Sequence, residues 1–484
     1  MASRCFYTVG TYWFVLILFC GCDNKAKNEI FQSQCLPLSA PLVTSGVDEV
    51  DSVVPTPDDD AAYIYASDEV KTFELNLSDE NLAFLDNDPT LEQYVEGTLS
   101  FNGTTYGPVG IRYKGSRGAW ASCTDPQNAD GRGGKKICPK LNMKISFNEY
   151  NNDLRFYGMK KLQFHAMNLD KSMMRERLGY DLYREMGLAS PRVAYIRLYV
   201  NGHYNGVFLN VEYIDGVFVK KRFEDGKGNL YKSIWPSNPS KKEPPAASDF
   251  LSGLRTNEDE SPSMERIVTF SSKLISDNAN ARAQSIRNTW NTENLMTFFA
   301  VDRTIRADDG PVHFYCSSQR ECGNHNFYIY EELNRFKLWI IPWDLDNSFL
   351  IKEWNDDPAD RFLSVGHEWD DHQVHCRVQP SVSGSLKLPG YMPPSCDPFI
   401  NSLGCYFHDA YDTALKKLLD GPFSQQVVDV KIASFRFQLK DAVEEAHETD
   451  TEHITLPDWE AAIQDLEKRV VILRNNAHER ITTH

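Results

Sequence analysis

The sequence of 484 residues lacks the features that define several large classes of protein. Its most apolar stretch, residues 13–19, has seven residues, and spanning a bilayer takes roughly 20. Positive charge is in deficit, since 51 lysines and arginines face 68 aspartates and glutamates, which argues against general binding of nucleic acid. No two cysteines have the C-x-x-C spacing, which argues against a cysteine-based metal site.

Apolar side chains are abundant, at 41% of the chain, and aromatic ones make up 12%. This composition is ample for a packed core and excludes a chain that is disordered throughout. The length corresponds to about three domains, or to one large core with insertions.

The N-terminus has the pattern of an export signal. Arg4 precedes the apolar stretch 13–19, and small residues follow it in Cys20-Gly21-Cys22. The pattern predicts a signal peptide over residues 1–22, and its end resembles a bacterial lipobox in which Cys22 carries the lipid. Ordinary cleavage by signal peptidase close by is the alternative.

Residues 23–60 are polar and show little hydrophobic periodicity, which predicts a flexible linker. The ordered pattern begins near residue 61 and continues to residue 484. We therefore expect a domain over 61–484 that is exported and tethered to a membrane through Cys22, on its periplasmic or extracellular side.

Eight cysteines remain outside the signal peptide and the lipidated position, and an even number in an exported protein predicts disulfides. The easiest pairs along the chain are Cys123 with Cys138, Cys316 with Cys322, and Cys376 with Cys396, which leaves Cys35 and Cys405. The sequence alone leaves the connectivity open.

Strand and helix patterns are both present but segregated along the chain, and Asn-Gly turns between strands indicate antiparallel hairpins. This organisation predicts an α+β fold. Two polar segments, 234–262 and 356–404, are expected to be surface insertions. Strands are expected at 70–77, 94–101, 109–113, 140–147, 193–200, 204–213, 229–232, 327–330 and 336–341, and helices at 171–186, 263–276, 292–306 and from 406 onward.

Acidic and amide side chains follow the predicted elements in the second half of the chain. They are Asp308, Asp309, Asn326, Asp344 and Asp346. Carboxylates next to apolar segments are costly unless they bind cations or hydrogen-bond donors. Oxygen ligands of this kind suit Mg²⁺ or Mn²⁺. The alternative is a set of polar loops with Asx turns.

Basic side chains cluster on neighbouring strands of the first half. Arg112 and Lys114 share one strand face, and Lys140 and Lys144 share another. Such side chains can clamp phosphate groups. Taken alone, such side chains are more often part of a solvated surface.

The order and spacing of several motifs resemble the CotH kinase-like family, the atypical kinases named for a spore-coat protein. The resemblance covers roughly residues 65–480. The motifs are Val109-Gly-Ile-Arg112-Tyr-Lys-Gly115, Lys140-Leu-Asn-Met-Lys144-Ile-Ser-Phe147, Phe156-Tyr-Gly-Met-Lys-Lys-Leu162, Asp170-Lys-Ser-Met-Met-Arg175-Glu, Met186-Gly187 with Pro191-Arg192, Val200-Asn-Gly202 with Gly206 and Glu212, Asn229-Leu-Tyr-Lys232, Asp309-Gly310, Asn326-Phe-Tyr-Ile-Tyr330 and Pro342-Trp343-Asp344-Leu-Asp346.

The resemblance implies a distant protein-kinase-like fold with two lobes. A strand-rich N-lobe would cover about 65–235 and a helical C-lobe about 260–484. ATP would bind between them with Mg²⁺ or Mn²⁺. Some members phosphorylate secreted or coat proteins, and others have been described as surface adhesins, so an exported kinase and a catalytically degenerate binding module are both open.

The resemblance also implies roles for the acidic residues. Asp309, or its neighbour Asp308, matches the catalytic acid, Asn326 matches a metal-binding Asn, and Asp344 or Asp346 matches the second metal-binding acid.

Within this hypothesis the basic cluster binds the nucleotide. Lys140 and Lys144 are our candidates for phosphate contacts, with Arg112 or Lys114 in support. Trp343 could stack on adenine or belong to the core.

Overall fold

The computed structural model of the protein describes residues 60–66, 69–120, 123–125, 133–241, 243–276, 278–317, 321–350, 376–378, 390–449 and 454–483. The predicted signal peptide with Cys22, the linker before residue 60 and much of the segment 356–404 lie outside these residues. Within the described residues, no helix is both long enough and apolar enough to cross a membrane.

A first core lies inside a closed barrel of seven strands. The order around the barrel is β1-β2-β3-β4-β5-β7-β6, and β1 closes it by pairing in parallel with β6. The strands are β1 (Lys71–Leu77), β2 (Val95–Phe101), β3 (Thr104–Tyr113), β4 (Met143–Ser146), β5 (Lys161–His165), β6 (Val193–Val200) and β7 (His203–Val211).

Alternating side chains of these strands fill the barrel, as a period of two requires. Phe73 of β1 stacks on Phe101 of β2 with 4.6 Å between ring centroids. The predicted Asn-Gly turn joins β2 to β3, with Asn102 at φ 48° and Gly103 at φ 74°. Both angles are left-handed, which is the geometry that makes Asn-Gly a hairpin signal.

A second, larger core is built from helices and two small sheets. The first sheet has the order β12-β11-β8 and the second β10-β9-β13. The strands are β8 (Asn229–Lys232), β9 (Phe314–Cys316), β10 (Cys322–Gly323), β11 (Phe327–Glu332), β12 (Lys337–Pro342) and β13 (Gly390–Met392).

The helices lie mostly around this second core. They are α1 (Asp79–Asn87), α2 (Arg117–Trp120), α3 (Arg175–Glu185), α4 (Gly216–Arg222), α5 (Ala247–Gly253), α6 (Glu265–Ser276), α7 (Ala279–Thr289), α8 (Thr292–Thr304), α9 (Pro398–Tyr406), α10 (His408–Asp420), α11 (Gln425–Glu448) and α12 (Leu456–Thr483). The expected α+β class is confirmed, with a strand-rich lobe and a helical lobe.

The structure differs from expectation around residues 390–404, which form β13 and most of α9 instead of a surface loop. The carboxylate of Asp397 caps α9 by accepting hydrogen bonds from Phe399 N and Ile400 N. Phe399, Ile400 and Leu403 are fully buried, because their spacing places them on one face of the helix.

Helix α3 begins at Arg175, four residues later than expected. Asp170 does not occupy its N-cap position. Its carboxylate instead accepts hydrogen bonds from Ser172 N at 3.0 Å and Arg175 N at 2.8 Å, and so orders the turn before the helix. Gly187, at φ 82°, follows the end of the helix.

The three local cysteine pairs are disulfides, as expected: Cys123–Cys138, Cys316–Cys322 and Cys376–Cys396. Cys405 is disulfide-bonded as well. The expected partner of Cys405, Cys35, lies outside the described residues.

A buried ion cluster follows the end of β7. Glu212 accepts hydrogen bonds from Arg192 at 2.6 Å and from Arg222. Burial acts to raise the pKa of Glu212, but the two guanidinium groups outweigh burial and hold this pKa below its ordinary value.

Candidate active site

A cavity of about 850 Å³ is lined by residues from both lobes. Most of the predicted site residues meet there, although they come from opposite halves of the sequence. They are Arg112, Lys114, Lys144, Asp308, Asp309, Asn326, Trp343, Asp344 and Asp346. The cavity is therefore the candidate active site.

Lys140 is not among the lining residues. Its side chain is 2% exposed, and its ammonium donates a hydrogen bond to the carbonyl of Val207 at 2.7 Å. Strand β4 begins only at Met143, so the alternation that grouped Lys140 with Lys144 does not reach back to residue 140. We leave Lys140 out of the site for this reason.

Asp308 and Asp309 follow the end of α8, and their partners differ. Asp309 Oδ2 accepts a hydrogen bond from Asn326 Nδ2 at 3.0 Å, and Asp309 Oδ1 lies 2.7 Å from His325 Nε2. Asp308 Oδ1 lies 2.5 Å from His313 Nδ1. Asp309 therefore contacts the predicted metal-binding Asn, whereas Asp308 is engaged by His313.

His325 and Asp309 form a charge-assisted pair. Burial acts to lower the pKa of His325, but the contact with Asp309 outweighs burial and raises this pKa above its ordinary value. The imidazole thus holds the carboxylate oxygen that Asn326 does not contact.

Three of the predicted residues have left-handed backbone angles. The φ angles are 76° at Asp309, 61° at Asn326 and 57° at Asp344. Non-glycine residues take this conformation at a cost, and such residues are concentrated at functional sites. All three side chains are thus presented from backbone positions that non-glycine residues seldom adopt.

Several carboxylates of the cavity lie close enough to repel one another. Burial, and then the charges of Asp344, Glu176 and Asp309, raise the pKa of Asp346 well above its usual range. Such crowding is relieved by a cation, and carboxylate with amide oxygens is the donor set that Mg²⁺ and Mn²⁺ take. Asn326, Asp344 and Asp346 therefore fit the metal role that the sequence suggested.

Glu176 was not predicted as a site residue, nor was His165. His165, Glu176 and Asp344 each offer one ligand atom, and these three atoms lie within 4.8 Å of one another. Glu176 directly follows the Arg175 of a quoted motif, which is a signal that could have identified it. His165 had no comparable signal, because strand β5 was not predicted.

Basic side chains also line the cavity. Lys144 Nζ donates a hydrogen bond to the hydroxyl of Tyr213 at 3.0 Å. Burial, followed by the repulsion of Lys161, Arg112, Lys114 and Lys232, lowers the pKa of Lys144 to about 6. Basic side chains that repel one another in this way favour an anionic ligand, because its negative charge would offset the repulsion.

Lys232 and Arg255 also line the cavity and were not predicted as site residues. Lys232 lies on β8 and is the last residue of the Asn229–Lys232 motif, so the motif could have identified it as a site residue. Burial lowers the pKa of Lys232, while the carboxylate of Asp344 acts to raise it. The charge of Lys232 is thus influenced both by neighbouring basic groups and by Asp344.

Trp343 lines the cavity and is 4% exposed. The ammonium groups of Lys114 and Lys232 lie 5.2 Å and 5.6 Å from its ring centroid, and the ring of His165 packs nearly perpendicular to it with 5.7 Å between centroids. The indole therefore supports two lysines by cation–π contact. This arrangement favours a structural role for Trp343 over stacking on adenine.

A family model described as CotH kinase protein matches residues 111–480. The chain belongs to the CotH kinase family. The matched range includes all the cavity residues discussed above, and the fold of this family is kinase-like. Inner spore coat protein H of Bacillus subtilis (strain 168) is 33% identical over 67 residues, which are 14% of this chain and 18% of that protein.

Proposed function

We propose that this CotH family member is an exported kinase that transfers a phosphoryl group from ATP to hydroxyl groups of secreted or surface proteins. The observation that carries the proposal is the mixed charge of the cavity lining. Basic side chains and carboxylates both line the cavity. A polyanionic triphosphate with a divalent cation can contact both kinds of side chain at once.

The basic and the acidic side chains have different tasks in this proposal. Lys114, Lys144 and Arg112 hold phosphate oxygens, with Lys232 in support. In phosphoryl transfer the protein mainly positions the reactants and neutralises charge, and this set does both.

Asp309 orients the hydroxyl of the acceptor and takes its proton. Asn326, Asp344 and Asp346 hold Mg²⁺ or Mn²⁺. When bound, the cation neutralises charge on the phosphate oxygens. Asp309 suits its task because His325 and Asn326 fix its carboxylate at the cavity wall.

The alternative is a cell-surface binding or adhesion module that has lost catalysis. Such a module has no need of an acid, a metal-binding set and phosphate-binding cations in one cavity. The joint presence of Asp309, Asp344, Asp346, Lys114 and Lys144 in one cavity favours the enzyme.

The test is phosphoryl transfer by the purified full chain. The protein is incubated with labelled ATP and Mn²⁺ or Mg²⁺, alone and with co-expressed exported proteins. We expect labelled protein and a nucleotide-induced rise in melting temperature. Asp309→Asn should abolish the labelling. Asp409→Asn is the matched control, since the side chain of Asp409 is 98% exposed on α10, away from the cavity lining. If neither labelling nor a shift in melting temperature is observed, the proposed kinase activity is refuted.

The location at a membrane is a separate part of the proposal. It is supported by the signal-peptide pattern ending at Cys22. The similarity to a protein described as an inner spore coat protein supports a location at a surface, without reference to a membrane. We expect Cys22→Ala to move the protein from the membrane fraction to the soluble fraction. Retention of the variant in the membrane, or a mature terminus without lipid by mass spectrometry, would contradict the anchor.

A further inference from the structure

A chain of three polar side chains crosses the cavity wall beside the predicted metal site. Lys114 Nζ lies 2.6 Å from His165 Nε2, and His165 Nδ1 lies 2.9 Å from both carboxylate oxygens of Glu176. The side chains of His165 and Glu176 are only 4% and 3% exposed. Lys114 follows β3, His165 ends β5, and Glu176 lies in the first turn of α3.

The hydrogen-bonding capacity of these groups fixes the direction of each bond. An ammonium group only donates, so His165 Nε2 must accept from Lys114. The proton of the neutral imidazole is then on Nδ1, where it is donated to the carboxylate of Glu176. Both ring nitrogens are therefore in use, and neither has a lone pair left for a metal ion.

We propose that His165 and Glu176 are positioning residues that hold the ammonium of Lys114 in place to contact phosphate. This inference rests on the proposed kinase function. According to this proposal, the imidazole of His165 links Lys114, which would bind phosphate, to Glu176 at the start of α3.

Lys114 needs a hydrogen-bond acceptor that fixes its position, because burial and nearby cations disfavour its charged form while a carboxylate attracts it. Burial, together with repulsion from Lys232 and Arg112, disfavours the charged amine and lowers the pKa of Lys114 to about 8. The carboxylate of Asp344 attracts it. A hydrogen bond to His165 keeps the ammonium charged and away from the carboxylates that would hold the metal.

The backbone reinforces the alignment of Lys114 with His165. The carbonyl of Asn142 accepts a hydrogen bond from Lys114 N at 2.9 Å. Its side-chain oxygen accepts one from Ala166 N, next to His165, at 2.6 Å. One residue therefore holds both segments, which is the support that a preorganised site requires.

The first experiment measures the reactivity of Lys114 without any nucleotide. The full chain is labelled competitively with acetic anhydride, and each lysine is quantified by mass spectrometry. In His165→Leu the amine loses its acceptor, and we expect Lys114 to react about three- to tenfold faster. His165→Gln keeps an acceptor near the Nε2 position and should restore slow labelling. Lys161 serves as the internal reference.

Glu176→Gln covers the case in which His165→Leu does not fold. It keeps the volume of the side chain but weakens the acceptor for Nδ1–H, so Lys114 should again react faster. Unchanged labelling of Lys114 in the folded variants would overturn the proposal.

The second experiment measures the affinity for ATP and Mn²⁺ by calorimetry in Lys114→Met, His165→Leu and the double variant. If His165 acts through Lys114, each single variant binds about tenfold more weakly and the double variant binds no more weakly than Lys114→Met. Additive losses would contradict the proposal. A wild-type protein that binds no nucleotide refutes the kinase function, while the labelling result still decides the link between Lys114 and His165.

Pulsed EPR of the Mn²⁺-loaded protein tests the competing hypothesis that His165 is a metal ligand. A nitrogen coupling to Mn²⁺ that disappears in His165→Gln would identify His165 as a metal ligand and overturn the proposal. We expect no such coupling, because both nitrogens are engaged by Lys114 and Glu176.

Discussion

Binding of a triphosphate should draw most of one proton from solution at pH 7.5. The proton goes to Lys144, whose pKa is lowered to about 6 by burial and by the neighbouring cations. Such a lysine is about 97% neutral at pH 7.5. An anion beside it favours the charged form, so the amine takes up a proton as the ligand arrives.

The expected number of protons taken up follows from the change in the pKa of Lys144 when the triphosphate binds. A close anion raises the pKa of a neighbouring amine by about 2–3, which takes Lys144 to about 8–9. At pH 7.5 about three quarters or more of such lysines are charged, so each binding event takes up about 0.7–0.9 protons. Because protons are taken up, the affinity should fall as the pH rises from 6.5 to 8.5.

Calorimetry in two buffers of different ionisation enthalpy, such as PIPES and Tris, measures this uptake directly. The observed binding enthalpies differ by the number of protons multiplied by the difference in buffer enthalpy. Lys144→Met should reduce the uptake to a small fraction. Lys161→Met should reduce it in part, because removing this cation raises the pKa of Lys144 in the free protein. Lys273→Met, on the exposed surface of α6, is the control.

Equal binding enthalpies in both buffers would refute this reasoning, as would a release of protons. Either result would mean that Lys144 is already charged in the free protein or stays remote from the phosphates. An unaltered uptake in Lys144→Met would instead assign the proton to another group.

Three further predictions concern catalysis, the core and acid stability. Asp309→Asn should lower the rate of phosphoryl transfer by about 10²–10⁴ with an unchanged melting temperature; an equal rate in labelled-ATP assays would remove Asp309 from catalysis. Phe399→Ala should lower the free energy of unfolding by about 3–5 kcal/mol in urea titrations, since Phe399 is fully buried against Trp235 and Trp290; a loss below about 1 kcal/mol would contradict the place of α9 in the core. Glu212 has a pKa lower in the folded than in the unfolded chain, so its stabilisation is present above about pH 4.3 and is lost as the pH falls through the folded value; a Glu212→Gln variant whose unfolding free energy shows the same acid dependence as the wild type would refute this.

The barrel was largely predictable because its strands follow local rules. Hairpins with Asn-Gly turns at 102–103 and 201–202 join alternating strands, and both appear in the structure. Strand β5 was not predicted. It has five residues, and four consecutive ones, from Leu162 to His165, are buried, so the alternation that marks a half-exposed strand is missing.

The site was predictable where it is continuous in sequence and not where tertiary structure assembles it. Asp344 and Asp346 directly follow β12, and their motif was recognisable. The link from Lys114 through His165 to Glu176 joins three elements and depends on β5, so no local pattern contained it. The choice between Asp308 and Asp309 likewise needed the positions of His313 and Asn326.

Alanine scanning is a poor tool for the acidic and amide residues of this cavity. Asp309, Asn326 and Asp344 sit at positive φ, where alanine pays about 1–2 kcal/mol and asparagine or glycine much less. An alanine variant at these positions therefore changes the course of the main chain as well as removing the functional group, and its lost activity reports both. Asparagine at 309 and 344 keeps the shape and the turn, and glycine at all three keeps the turn alone. Comparing the two series separates the chemistry of each side chain from the geometry of the loop that presents it.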